Sequence, residues 1–182
     1  ASHLSAQTDT RLNLTQIILQ RWVTSTIVSE QLNPSTDRLV SQNNEFADSF
    51  SDAGMEAAPS LRLAIVACMD VRLDIFEILG IEKGDAHILR NAGGVITDDV
   101  IRSLCLSQRL LGTKQIILLH HTDCGLQKVN EGEFKAELES EYGVAPSWSL
   151  EVFDDAYSDT AQSMQRLVDN LFVETGMLRG FV

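Results

Sequence analysis

The clearest feature of the sequence is a series of short apolar runs that alternate with segments of helical periodicity. The runs Leu61–Ala67 and Gln115–His120 are each bounded by polar residues, which is typical of buried β-strands. Two further runs predict strands at 86–90 and from 178 onward. Helical spacing predicts helices at 73–79, 97–111, 133–142 and 154–172. This alternation predicts an α/β fold with a parallel sheet and right-handed crossovers.

The first part of the chain carries two more predicted helices. Apolar residues recur at helical spacing over 12–31, and a second helix is predicted to begin at a cap formed by Ser35 or Thr36. Because both precede the first strand, they cannot be crossovers between strands of the sheet. We expect them to pack outside the sheet or on a second subunit. The predicted organisation is an N-terminal extension at 1–34 and one α/β domain at 35–182.

Two strands deliver possible metal ligands at their carboxyl ends. Cys68 follows the first central strand, and His121 and Cys124 follow the second. Open α/β sheets place their ligands at the carboxyl ends of strands. Thiolate and imidazole suit zinc, and catalytic zinc sites leave the fourth position to water. Cys68, His121 and Cys124 therefore form a credible set of three zinc ligands.

Asp70 and Arg72 follow Cys68 at alternate positions, so in extended geometry the three side chains point the same way. We expect Arg72 to hold the Asp70 carboxylate in a bidentate ion pair. Asp70 then either accepts a hydrogen bond from a zinc-bound hydroxide or becomes a fourth ligand that closes the site. Two thiolates and one imidazole neutralise Zn²⁺, so the predicted activity favours mildly alkaline pH.

Other chemistries fit the spacing less well. Arg72 lies too close to Cys68 for a phosphatase-type loop, and no two cysteines have the spacing of a dithiol redox motif. Cys105 lies within a helical pattern and is interpreted as a packing residue. The Asn91-Ala92-Gly93-Gly94 turn has two interpretations that stay open: a tight turn after a strand, or a turn whose backbone N–H groups approach a small ligand.

Composition narrows the class of partner and compartment. The 182 residues carry a formal net charge of −12, which argues against nucleic acid or an anionic membrane as a partner. Three cysteines imply no disulfide framework and suit a reducing compartment. No apolar run approaches the roughly 18 residues of a membrane span. We predict a cytoplasmic protein, with a mitochondrial location as a weaker alternative suggested by the Ser/Thr-rich start.

Three motifs together resemble the β-class carbonic anhydrases. They are Cys-x-Asp-x-Arg at 68–72, Arg-Asn-Ala-Gly-Gly at 90–94 and His-x-x-Cys-Gly at 121–125. The longer strings ACMDVRLD, ILRNAGG, DDVIRSL, SQRLLGT and HHTDCG are similar to the smaller microbial and fungal branch of that family. That branch includes carbonyl sulfide and carbon disulfide hydrolases. The resemblance covers roughly residues 36–182.

The resemblance implies a Rossmann-like sheet of four mostly parallel strands in a homodimer or homotetramer. It implies one zinc ion per subunit on Cys68, His121 and Cys124. His121 is preferred to His120 because its spacing to Cys124 matches the family motif. The Asp70–Arg72 pair would orient the nucleophile, and the Asn91, Ala92, Gly93 and Gly94 turn would border the substrate pocket.

The implied reaction is attack of zinc-bound hydroxide on CO₂ to give bicarbonate. The alternative on the same site is hydrolysis of carbonyl sulfide (COS), which releases H₂S, with carbon disulfide (CS₂) ranked third. Val71 replaces the Ala or Ser usual in the family and adds apolar bulk to the predicted substrate pocket. A non-enzymatic alternative is a structural zinc scaffold in which Asp70 closes the site.

Overall fold

The computed structural model describes residues 34–182, so the helix predicted at 12–31 lies outside the described residues. Helix α1, Pro34–Asp48, agrees with the prediction of a helix that begins near Ser35 or Thr36. It belongs to a unit of the chain that ends at Met55, and its Leu39 and Phe46 side chains are exposed. The second compact unit is Glu56–Val182.

A four-stranded parallel sheet forms the centre of the second unit, as predicted. Its strand order is β2-β1-β3-β4, and all three pairings are parallel. The strands are β1 Leu63–Cys68, β2 Ala86–Asn91, β3 Gln115–Leu119 and β4 Leu178–Phe181. The helices are α2 Ile75–Leu79, α3 Asp98–Leu111, α4 Glu131–Tyr142 and α5 Ala156–Val168. Two 3₁₀ turns, Ala92–Gly94 and Gly125–Lys128, follow β2 and β3.

The sheet is covered on both faces by apolar side chains, which explains why β1 reads as a continuous apolar run. All six residues of β1 are buried. One face joins the core cluster of Ala64, Val66, Leu104, Ile116, Leu118 and Leu167, with contributions from α3 and α5. The other face packs Leu63, Ile65, Ala67 and Leu119 with Ile75 of α2. The predicted central strands are therefore confirmed as the core of the unit.

Element ends differ from the prediction where local backbone or capping decides them. The first strand begins at Leu63 rather than Leu61, because Arg62 has a positive φ of 50° that interrupts the extended chain. The last long helix is shorter than the predicted 154–172: Asp155 caps its start by accepting from Ser158 N, and it ends at Val168. Asn130 likewise caps α4, which begins at Glu131, two residues before its predicted start.

The topology brings the two chemistry-bearing segments to one edge of the sheet. β1 and β3 are parallel neighbours, with Ala67 opposite Leu119, so Cys68 and the loop after Leu119 emerge side by side. β2 lies on the other side of β1, with Asn91 opposite Cys68. Within residues 34–182, no helix is long and apolar enough to cross a bilayer.

Candidate metal centre

The structure brings the three predicted zinc ligands together. The Cys68, His121 and Cys124 ligand atoms all lie within 4.8 Å of one another, and the two Sγ atoms are 3.9 Å apart. Cys68 and Cys124 are buried, and His121 is half-buried. Burial raises the pKa of the Cys124 thiol, because a thiolate is poorly solvated there. A bound cation would offset that cost, so the donor set fits a metal ion.

The hydrogen bonding of His121 supports the same conclusion. Its Nδ1 lies 2.9 Å from the Thr122 carbonyl oxygen, which only accepts, so Nδ1 carries the proton in this contact. In a neutral ring, Nε2 then presents a lone pair. That atom is buried and has no hydrogen-bond partner among the described residues. A buried acceptor without a partner, on a ring that lies beside two thiols, is the arrangement expected of a metal-binding imidazole.

Asp70 and Arg72 form the predicted bidentate pair in the turn after β1. Arg72 Nε donates to Asp70 Oδ1 at 2.9 Å and Nη2 donates to Oδ2 at 2.7 Å. The Arg72 backbone N–H adds a third bond to Oδ1 at 2.9 Å. These bonds hold the pKa of Asp70 well below its ordinary value. Asp70 Oδ2 lies 3.8 Å from His121 Nε2, so the ionised carboxylate borders the ligand cluster.

The glycine turn after β2 is packed tightly against the ligand strand. Gly94 has φ +72°, and a Cβ there would lie 2.8 Å from the Cys68 backbone nitrogen. A Cβ on Gly93 would lie 2.7 Å from Leu126 Cδ2. Asn91 Nδ2 donates to the Val95 carbonyl oxygen at 2.9 Å, which closes the turn around Ala92. The tight-turn interpretation thus accounts for both glycines, and the ligand-approach interpretation stays a proposal.

Comparison with known proteins identifies the family. The sequence profile described as carbonic anhydrase matches residues 63–177. A β-carbonic anhydrase 1 of Mycobacterium tuberculosis is 51% identical over 148 residues, which cover 81% of this chain and 90% of the relative. The chain belongs to the β-carbonic anhydrase family.

Two further proteins are similar to this β-carbonic anhydrase chain. The crystal structure of a carbonic anhydrase from Streptococcus mutans matches with a TM-score of 0.74 at 37% identity, covering 82% of this chain and 91% of that one. A carbon disulfide hydrolase of Acidianus sp. is 48% identical over 86 residues, or 47% of this chain and 42% of the relative. This chain is therefore similar to proteins whose names carry two different activities.

Val71 and His120, which lie beside predicted site residues, differ in their exposure. Val71 is 97% exposed and, with Leu73 and Phe76, lines a cavity of about 360 Å³. Its place in a substrate pocket stays a prediction. His120 is buried with Nδ1 3.1 Å from Asp159 Oδ2, and it is not part of the ligand cluster.

Arg90 has a position that sequence reasoning did not assign. Its Nε donates to the Cys68 carbonyl oxygen at 3.0 Å and its Nη2 donates to the Asp70 carbonyl oxygen at 2.6 Å. Arg90 on β2 therefore fixes the backbone on both sides of Met69. The signal available in the sequence was its place as the first residue of the Arg-Asn-Ala-Gly-Gly motif at 90–94.

Gln127 and Asp123 were also not assigned. Gln127 Oε1 accepts from Cys124 N at 3.0 Å, and Gln127 Nε2 donates to the Asp154 carbonyl oxygen at 2.9 Å. Gln127 thereby ties the ligand loop to the segment before α5. Asp123, which lies in the HHTDCG string, contacts both Arg72 and Lys128. The Arg72–Asp123 and Gln127–Asp154 contacts have no sequence signal, because each joins two segments that are distant in sequence.

Proposed function

We propose that this chain catalyses the zinc-dependent hydration of CO₂ to bicarbonate. The observation that carries the proposal is the Cys68–His121–Cys124 cluster with the Asp70–Arg72 pair beside it, in a chain of the β-carbonic anhydrase family. The 51% identity to a β-carbonic anhydrase extends over most of both chains, which supports CO₂ as the substrate.

Cys68, His121 and Cys124 would hold one zinc ion per subunit. Two thiolates and one imidazole are ligands that zinc prefers, and three protein ligands leave a position open for catalysis. The buried, unpartnered His121 Nε2 supports this assignment. When bound, zinc would act as a Lewis acid that lowers the pKa of water and so supplies a nucleophile near neutral pH.

Asp70 would accept a hydrogen bond from the attacking water and so fix its orientation toward CO₂. Arg72 would keep this carboxylate ionised and directed, since it supplies three hydrogen bonds to the two Asp70 oxygens. Those three bonds hold the carboxylate in the turn after β1 and leave about one of its four acceptor sites for the attacking water, which supports the catalytic role over that of a fourth ligand in a structural zinc scaffold.

The walls of the site suit a small apolar molecule. Val95 and Leu126 pack with Cys68 and Cys124 in one cluster, and Phe153 lies against it. CO₂ has no net dipole and needs little hydrogen bonding in its ground state. We place the substrate beside this apolar wall, and we include in the pocket the turn of Asn91, Ala92, Gly93 and Gly94 together with Val71, whose exposed side chain a second subunit would cover.

The second candidate function is hydrolysis of COS or CS₂ on the same site, with release of H₂S. The observation that favours it is the 48% identity to a carbon disulfide hydrolase over 86 residues. Val71 adds bulk that would suit a sulfur-bearing substrate. Both reactions need the same nucleophile and differ only in the heterocumulene that the pocket admits.

The test compares three substrates on one zinc-loaded preparation near pH 8, by stopped-flow CO₂ hydration and by H₂S release from COS and CS₂. We expect fast CO₂ turnover with slow H₂S release. Efficient H₂S release with feeble CO₂ hydration would establish the second candidate, and Val71→Ala would then be the first variant to make. If none of the three substrates is turned over, the result would favour the structural zinc scaffold over an enzyme.

We also propose that the protein is a homodimer or a homotetramer of such dimers that meets its partner at the β2 edge. Among residues 34–182, no strand pairs with the outer side of β2. Two cavities of about 360 and 440 Å³ flank that strand and share Ile88. Phe76 and Leu106, which line them, are each more than two-fifths exposed.

The free Cys68 and Cys124 thiols, needed as ligands, support a reducing compartment such as the cytoplasm.

A further inference from the structure

The guanidinium of Arg72 is shared between two carboxylates from different loops. Its Nε and Nη2 donate to Asp70, as described above, and its Nη1 donates to Asp123 Oδ2 at 3.1 Å. Its Nη2 also donates to the Asp123 carbonyl oxygen at 3.1 Å. Asp123 thus contacts Arg72 through both its side chain and its backbone. It does so from the loop that carries His121 and Cys124.

Asp123 is itself held on its other side by Lys128, whose Nζ donates to Asp123 Oδ1. The Asp123 carboxylate therefore bridges two cationic side chains, Lys128 through Oδ1 and Arg72 through Oδ2. The result is a row of alternating charges, Asp70, Arg72, Asp123 and Lys128. Side-chain exposure along it runs from 18% at Asp70 to 67% at Lys128.

The backbone at Asp123 adopts the left-handed region, with φ +57°. Among residues with a side chain, Asn and Asp tolerate this conformation best. The position therefore accepts an aspartate at low cost, immediately before the ligand Cys124.

The bonds to Asp70 do not by themselves fix the Arg72 side chain. Arg90 holds the Asp70 backbone, but Arg72 is 59% exposed, and packing alone does not immobilise so open a side chain. A contact from the other loop gives the guanidinium a second anchor. The Arg72–Asp123 bonds connect the turn after β1 with the loop after β3.

We infer that Asp123 is a positioning residue, which holds Arg72 so that Nε and Nη2 face Asp70 and keep that carboxylate aimed at the nucleophile. This inference rests on the proposed function, because it assigns Asp123 to the same reaction. The competing interpretation is an ordinary surface ion pair, since Asp123 is also 59% exposed and such pairs contribute little to stability.

The decisive variant is Asp123→Asn, which tolerates the left-handed backbone but removes the charge. The matched control is Asp99→Asn. Asp99 also pairs with an arginine, Arg102, at 2.7 Å, and it is exposed on α3. We expect Asp123→Asn to lower kcat for CO₂ hydration about fivefold with KM nearly unchanged, as the loss of one exposed charged contact would. Asp99→Asn should match the wild type.

A second readout is independent of activity. NMR of protein labelled in arginine side chains reports how freely each guanidinium rotates, and comparison with Arg72→Lys identifies the Arg72 signals. In the wild type, rotation of Arg72 should be slow because donors on both sides are bonded. In Asp123→Asn it should become faster, whereas the Arg102 signals should stay as they are. Zinc content and the thermal midpoint should match the wild type.

Wild-type kcat and unchanged Arg72 rotation in Asp123→Asn would overturn the inference. So would a loss of activity that only parallels a loss of zinc or of folded protein, because that result would mean a structural role. If the wild type itself turns over none of CO₂, COS and CS₂, the proposed function fails instead. The NMR comparison would then still decide whether Asp123 holds Arg72.

Discussion

At the scale of single residues, the orientation of His121 and Asp70 is set by bonds to atoms that take no part in the chemistry. The Thr122 carbonyl oxygen accepts from His121 Nδ1, which leaves Nε2 free to bind a metal. Arg72 orients Asp70 in a similar way, because its Nε and Nη2 donate to the two carboxylate oxygens beside the cluster. Each reactive group is thus oriented by a neighbour, as preorganised sites require.

Replacement of Asp70 by Asn should lower kcat/KM for CO₂ hydration about a hundredfold, because an uncharged amide orients the nucleophile poorly.

The lowered pKa of Asp70 also predicts how the wild-type rate depends on pH. A carboxyl group with a lowered pKa loses its charge only in strong acid, so any fall in rate between about pH 8 and 6 arises from another group. Stopped-flow assays across this range test both statements. Unchanged kcat/KM in Asp70→Asn at full zinc content would contradict the assigned role.

At the scale of elements, the turn after β2 and the end of β1 are built as one piece. Arg90 bonds two carbonyl oxygens of the β1 end, and Met69 N donates to the Asn91 carbonyl oxygen at 2.8 Å. Gly94 lets the turn approach the Cys68 backbone so closely that no side chain fits between them. The position of the ligand Cys68 therefore depends on β2 as well as on its own strand.

Gly94→Ala should destabilise the fold more than Gly112→Ala. Both glycines have positive φ, +72° and +74°, so each alanine costs about 1 kcal/mol in backbone strain. The Gly112 Cβ would meet nothing within 4 Å, whereas the Gly94 Cβ would collide with backbone atoms of β1. Overpacking adds about 1–3 kcal/mol, and zinc retention should also fall. Equal free energies of unfolding from urea titrations of the two variants would contradict this account.

Comparison of sequence and structure at this scale shows which features a linear pattern can predict. Apolar runs and polar stops located β1 and β3, and motif spacing located Cys68, His121 and Cys124. Element ends were less predictable, because Arg62 and Asp155 set them through a positive φ and a side-chain cap. The contacts of residues such as Arg90, Asp123 and Gln127 could not be predicted, since each joins loops that are distant in sequence.

At the scale of the whole molecule, β2 is one of the two edge strands, with β4, whose outer side pairs with no other strand among residues 34–182. Exposed strand edges invite pairing with another chain, and large exposed apolar patches mark interaction sites. Val71 belongs to one of the two cavities beside this edge. The same association would therefore cover the residue that we include in the substrate pocket, which links oligomeric state to activity.

Leu106→Glu should convert the oligomer to monomers and lower the CO₂ hydration rate, because it places a charge in the apolar cavity beside β2. Val144→Glu is the control, since Val144 is exposed and lines neither cavity. Sedimentation velocity measures the assembly state directly. If the wild type and Leu106→Glu sediment as the same oligomer, the interface lies elsewhere, and if both sediment as monomers, the proposed oligomer is wrong.

We propose that Cys68, His121 and Cys124 form the metal centre that hydrates CO₂, and the three cysteines of this chain allow a direct test. Zinc content and the stopped-flow CO₂ hydration rate are measured together for the wild type, Cys124→Ser and Cys105→Ser. Cys105 lies on α3 and does not belong to the ligand cluster, so it is the matched control. We predict about one zinc per subunit and full activity in the wild type and Cys105→Ser, with both lost in Cys124→Ser. Retention of zinc and of CO₂ hydration by Cys124→Ser would contradict the account.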